Sequence, residues 1–256
     1  MNRREMLKLT GAAVAGSTLF SLDALASENP SESAATKASQ GGKRKKALII
    51  GAHPDDPETG CGGTMMVLRK AGYDVASVYM TKGEAGIKGK SHSEAAKIRV
   101  EEATQACKVM DVRPIFLTQI DGNSEVNKER YAEMKNIIDA EKPDIVFTHW
   151  PVDSHADHRV CFTLVYDAWR RLGYPFELYC FEVMSGVQTQ LFNPTDWVDI
   201  TSTYEDKKKA TLCHKSQDPE SWYDADHGSM EIFRGMEFRC KRAEAFVHFN
   251  RFEKFY

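Results

Sequence analysis

A histidine and two adjacent carboxylates, His53, Asp55 and Asp56, stand within AHPDDPETGCGGT, the stretch from Ala52 to Thr64. Farther along, THWPVDSHADHRV, from Thr148 to Val160, carries His155, Asp157 and His158. Imidazole nitrogens beside carboxylates are the donors that hold a zinc-type cation. A cation so held activates water and polarises carbonyl groups. Each stretch supplies half of such a site. Two other readings compete for the first stretch. A glycine-rich turn between strand and helix also cradles phosphate. Here the glycines lack the GxGxxG spacing, and two aspartates would repel a phosphate from the place it needs. The aspartates also suit the cap of the following helix, a role that leaves His53 unexplained. In the second stretch a lone histidine would read as structural. Two histidines at i and i+3 around an aspartate, facing a second such cluster, do not.

Positioning these side chains requires both stretches to meet. The first follows Lys46-Ala-Leu-Ile-Ile-Gly51, an apolar run without alternation that reads as a buried β-strand. Gly60, Gly62 and Gly63 then open a helix that continues through Lys70. The second follows Asp144-Ile-Val-Phe-Thr148, another strand-like run, and precedes a helical pattern from Val160 to Leu172. Parallel strands deliver the loops that follow them to one sheet edge, where open α/β sheets carry their sites. Further strands are expected over Asp74 to Met80, Pro114 to Thr118 and Phe176 to Met184, with helices over Ser91 to Val109 and Tyr131 to Ala140. A short strand from Trp197 to Ile200, a lysine-rich helix ending near His214 and a last helix from Ser229 to Phe246 complete the pattern. The alternation argues for one α/β domain over residues 46–256, with a mostly parallel sheet and helices on both faces.

HPDDPExGxGGT joined to a later HADH resembles the PIG-L or LmbE-like zinc-dependent N-deacetylases, which act on N-acetylglucosaminyl groups and related amides. The resemblance runs from about Lys45 to the C-terminus, and TKGEAG (Thr81 to Gly86), RVEEA (Arg99 to Ala103) and HKSQ (His214 to Gln217) follow in order. It implies a Rossmann-like sheet and a Zn2+ ion held by His53, Asp56 and His158. Iron(II) suits the same two histidines and one carboxylate. By the same resemblance Asp55 is the general base. His155 stabilises the oxyanion and protonates the leaving amine, with Asp157 holding it oriented and cationic. Arg99, Asp121 and Glu84 are implied as substrate contacts. The residues alone equally suit Arg99 as a helix-surface ion pair and TKGEAG as a lid. The implied reaction is hydrolytic removal of an N-acetyl group from an acetamido sugar or glycan. Two alternatives stay open: an amidase of another amide, such as a thiol–sugar conjugate, and a non-catalytic metal-containing sugar-binding protein. Intact Asp55 and His155 argue against the last, because binding alone needs neither a base nor an acid.

The N-terminus opens with Arg3, Arg4 and Lys8, then an uncharged run from Leu9 to Leu22, shorter than the roughly 20 residues of a membrane span. Ala24-Leu-Ala26 after it describes a cleavable export signal over residues 1–26. The paired arginines resemble a twin-arginine signal, against the alternative of an ordinary secretory signal. Either implies a destination outside the cytoplasm, periplasmic or extracellular, and no membrane anchor once the signal is removed. Residues 27–45 are too polar to bury themselves and read as a flexible linker. Arg3, Arg4 and Lys8 against Glu5 and Asp23 carry +1 of the formal −3, leaving −4 for the remainder. No basic tract follows Lys46, which argues against nucleic acid as a partner. The six cysteines show no CxxC spacing and read as buried thiols rather than metal ligands.

Overall fold

In the computed structural model, which describes residues 44–249, the apolar run Lys46–Gly51 forms β1 inside a seven-stranded sheet. The chain continues as α1 (Asp56–Lys70), β2 (Asp74–Tyr79), α2 (His92–Met110), β3 (Arg113–Phe116), α3 (Lys128–Glu141), β4 (Ile145–His149) and α4 (Ala156–Arg171). There follow β5 (Glu177–Phe181), β6 (Asp196–Asp199), α5 (Tyr204–Thr211), α6 (Pro219–Trp222), α7 (His227–Phe238) and β7 (Ala243–Phe249). The strand order is β3-β2-β1-β4-β5-β7-β6. The expected export signal lies outside the described residues, as does all but the end of the linker.

Successive residues of β1 point to opposite faces, and both faces are covered. Ala47 and Ile49 join Cys61 and Met65 of α1 with Cys107 and Met110 of α2. Leu48 and Ile50 pack with Met134 and Ile138 of α3 and with Leu164 and Val165 of α4. This two-sided burial is why the strand reads as continuously apolar. β1 pairs in parallel with β2 on one side and β4 on the other, with Ile49 opposite both Ser77 and Phe147. From β1 the chain winds outward to β2 and β3, whereas β4 lies on its other flank and leads to β5. The order therefore reverses between β1 and β4, leaving a crevice at their carboxyl ends.

The glycines of α1 serve packing. A Cβ added at Gly60 would collide with the Phe181 ring, and one at Gly63 with the side chain of Ile200. Helix α1 thus lies closer to β5 and to the segment after β6 than a larger residue would permit.

Three expectations need correction. Helix α1 begins at Asp56, so Gly60, Gly62 and Gly63 lie within it rather than open it. The HADH stretch is helical rather than a loop, because His155 is the N-cap of α4 and its Nδ1 accepts the Asp157 backbone N–H at 3.3 Å. The expected last helix from Ser229 to Phe246 stops at Phe238, and Ala243–Phe249 is a strand instead. Arg239 takes a left-handed conformation (φ 61°) that ends α7. β7 then runs antiparallel between β5 and β6, so the sheet is parallel only over its first five strands in spatial order.

Candidate metal and catalytic site

The crevice between β1 and β4 receives His53 from the turn after β1, Asp55 and Asp56 from the start of α1, and His155, Asp157 and His158 from the start of α4. Both helix N-termini face it, adding partial positive charge that favours carboxylates there. Asp56 is the hub. Its Oδ2 accepts the His53 backbone N–H at 2.7 Å and lies 3.2 Å from His53 Nδ1. Its Oδ1 lies 3.4 Å from His158 Nε2. Burial opposes ionisation of Asp56, yet the imidazole of His158 holds its carboxyl well below the usual range.

His53 and His158 each turn the other nitrogen to a carboxylate. His53 Nε2 lies 3.1 Å from Asp121 Oδ1 and 3.1 Å from Asp157 Oδ2, while His158 Nδ1 lies 3.2 Å from Asp153 Oδ1. One nitrogen toward a shared centre and the other set beside an acid is the arrangement of a metal-ligating histidine. Donor atoms of His53, His155 and His158 lie within 4.8 Å of one another, as do those of Asp56, His149 and His158. Two imidazoles and a carboxylate are a donor set that fits zinc or iron(II), so His53, Asp56 and His158 suit a divalent cation. Burial opposes protonation of His53 and His158. Without a cation the surrounding aspartates overcome that cost, raising His53 well above its ordinary value and His158 to about 9.

Asp55 stands apart from this hub. It adopts φ 108°, a left-handed backbone that an aspartate takes only against strain. Its Oδ2 accepts from Arg99 Nη2 at 2.9 Å, and the same guanidinium donates to the Pro54 carbonyl. Burial leaves the Asp55 carboxyl above its ordinary value, with the Arg99 charge opposing the rise. Arg99 is itself buried, beneath the turn of Gly83 and Gly86, where a Cβ at either glycine would strike its side chain. The helix-surface reading of Arg99 is thereby excluded.

His53, Asp55, Asp56, Arg99, Asp121, His155 and His158 all line one cavity of about 660 Å³. Two expected participants do not line it. Asp157 directs its carboxylate to His53 Nε2 and to the Gly122 N–H (2.8 Å), not to the His155 ring as expected. Burial and the neighbouring imidazoles of His53 and His158 push His155 below its ordinary value, outweighing the charges of Asp56 and Asp157, so the ring is not held cationic. Glu84 accepts from the backbone N–H groups of Lys82 (3.1 Å) and Asp121 (3.2 Å), and Asp121 Oδ2 accepts from Ala85 N–H (3.2 Å). Glu84 therefore fixes the loop that presents Asp121.

Sequence reasoning passed over His149 and Asp153. His149 Nε2 accepts the Ala52 N–H at 3.0 Å, and burial lowers its pKa to about 4, so it packs behind Asp56 as a neutral ring. Asp153 accepts the His155 N–H at 2.8 Å in addition to facing His158. Both lie inside the quoted THWPVDSHADHRV stretch, and their titratable types next to the named histidines were the available signal.

Comparison with known proteins gives matches to deacetylases and to one hydratase. The family model for PIG-L, described as GlcNAc-PI de-N-acetylase, matches residues 48–169. A diacetylchitobiose deacetylase of Thermococcus kodakarensis is 31% identical over 192 residues, covering 69% of this chain and 71% of that protein. The solved N,N'-diacetylchitobiose deacetylase of Pyrococcus horikoshii superposes with a TM-score of 0.71 at 28% identity, over 80% of this chain and 84% of that one. A 4-oxalmesaconate hydratase of Pseudomonas putida is 25% identical over 194 residues, 68% of this chain and 75% of that protein.

Proposed function

This chain belongs to the PIG-L (GlcNAc-PI de-N-acetylase) family, and from that premise we propose that it is a metal-dependent N-deacetylase of acetamido sugars or glycans. The observation that carries the reading is the geometry of His53 and His158, each aiming one nitrogen at Asp56 and the other at an aspartate. A divalent cation held there lowers the pKa of water toward about 7 and polarises an amide carbonyl. The zinc assignment follows the donor set, and iron(II) fits it as well.

The remaining chemistry falls to side chains. Asp55, ionised beside Arg99, takes the proton of the attacking water at Oδ1 or Oδ2. Its strained backbone and the single Arg99 Nη2 contact hold the carboxylate at the cavity wall. His155 accepts the Asp157 N–H at Nδ1, which leaves the proton of the neutral ring on Nε2. That N–H is a donor for the developing oxyanion, and the proton collected by Asp55 then reaches the departing amine. Asp121, at the cavity edge beside Gly122, is placed to accept a sugar hydroxyl.

The experiment is amine release from N-acetylglucosamine and its oligomers by protein stripped with chelator and reloaded with Zn2+ or Fe2+. Metal-dependent release supports the reading. No release from any acetamido sugar, with hydration of an unsaturated acid instead, would place the chain with its hydratase relative. We also propose export of this enzyme, on the Ala24-Leu-Ala26 signal pattern. Export that survives changing Arg3 and Arg4 to lysine removes the twin-arginine route.

A further inference from the structure

His158 Nδ1 faces Asp153 Oδ1 at 3.2 Å, so the placing of that acid bears on how the ring turns. Part of what holds Asp153 comes from much later in the chain. Its Oδ1 accepts the His155 backbone N–H at 2.8 Å, and its Oδ2 accepts the Thr189 hydroxyl at 2.9 Å. Thr189 is buried, in a segment after β5 that lies beyond residues 48–169, which carry the family match. A hydroxyl has a single proton to give. Thr189 Oγ1 accepts the Val183 N–H at 2.9 Å and spends its own proton on Asp153.

The segment has other ties that keep it in place without this hydroxyl. The Ser154 N–H donates to the Gln188 carbonyl and the Gln190 N–H to the Val152 carbonyl, both at 2.9 Å, with Thr189 bridged opposite Asp153 in antiparallel fashion. Glu182, at its start, accepts from Arg234 Nε at 2.7 Å and Nη2 at 2.8 Å. Backbone bonds thus bring the two side chains face to face, and the hydroxyl is left to aim a carboxylate. The same segment lends Val183, Met184 and Gln188 to the cavity.

We propose that Thr189 is a positioning residue for the cation site. Through Asp153 it fixes the His158 ring, so this wall of the cavity and the cation respond to each other. The proposal rests on His158 as a ligand and not on which amide is cleaved. Coupling of this kind is reciprocal. What the wall contributes to cation affinity, the cation returns to the wall as order.

The test measures Zn2+ affinity by chelator competition in wild type, Thr189→Val and Thr189→Ser. Valine keeps the shape without the hydroxyl, and serine keeps the hydroxyl. Thr189→Val should weaken Zn2+ binding roughly tenfold, the low end of what outer partners of a ligand contribute, and Thr189→Ser should restore most of it. Amide hydrogen exchange gives a second readout. Zn2+ should slow exchange at the Val183 amide in wild type and do so much less in Thr189→Val. A Thr189→Val protein that loses stability to urea yet binds Zn2+ as tightly as wild type would make the residue merely structural and sink the proposal. Should that variant fail to fold, wild type alone decides: tight Zn2+ binding with Val183 exchange indifferent to the cation overturns the coupling and leaves the metal site standing. Wild type that takes up no Zn2+ defeats the metal site and this proposal together.

Discussion

The carboxylate of Asp55 and the guanidinium of Arg99 meet at 2.9 Å, both largely withdrawn from solvent. The pairing sets the acid limb of catalysis. Asp55 must be ionised to take a proton. Burial raises its pKa, and the Arg99 charge opposes that rise. Removing the cation lets the pKa climb, so a smaller fraction of Asp55 is ionised at any given acidic pH. In Arg99→Met, the acid limb of kcat/KM is therefore expected to move to higher pH, with metal content unchanged. A limb that stays in place or moves to lower pH would separate Asp55 from the base role.

Asp55 and Asp56 are adjacent, yet only Asp56 sits between the two ligand histidines. Asp56→Asn should lose metal, because a neutral amide is a poorer ligand than a carboxylate. Asp55→Asn should keep metal and fold but cut turnover by roughly 10²–10⁴, the usual contribution of a general base. Metal analysis and amine release on both variants check this together. Metal lost from Asp55→Asn and kept in Asp56→Asn would exchange the roles.

The carboxylate of Asp157 meets His53 Nε2 at 3.1 Å. It fixes which ring nitrogen faces Asp56, and such outer partners typically contribute 10–100-fold to metal affinity. Asp157→Asn should weaken metal binding by roughly that factor in a chelator competition. Were Asp157 instead the partner of His155, the variant would bind metal normally and lose only turnover.

The chemistry-bearing residues were legible because each cluster is contiguous and follows an unmistakable buried strand. His53, Asp55, Asp56, His155 and His158 needed only β1 and β4 to be neighbours. What stayed hidden depends on contacts between distant segments. Arg99 meets Asp55 across two elements, and only the space left by Gly83 and Gly86 allows it to lie there. Asp157 has His155 as its sequence neighbour but His53 as its spatial one. The last strand was missed for a local reason. Arg239 breaks α7 in a left-handed conformation with no glycine, asparagine or proline to announce it, and Ala243-Glu-Ala reads equally well as helix.

His227 gives the last prediction, on stability rather than turnover. It is buried beside Trp222, and its pKa falls to about 3, chiefly through burial and secondarily through the charge of Lys207. The native state keeps this ring neutral, whereas in the unfolded chain it titrates near its ordinary value of about 6.5. Below that pH the unfolded chain binds a proton that the folded chain refuses. Stability must then fall with pH, by up to about 1.4 kcal/mol per unit, until the folded group titrates near 3. His149, lowered to about 4, adds a loss of the same sign. His53 and His158 are raised without metal, so their contribution is present below 6.5 and lost as pH rises through their folded values. Wild type alone therefore does not isolate His227, but its difference from His227→Gln does. Urea unfolding of metal-free protein at pH 6.5 and pH 4.5 should show a shallower loss in the variant, by on the order of 1–3 kcal/mol. Parallel losses in the two proteins would mean that His227 takes up a proton in the folded state.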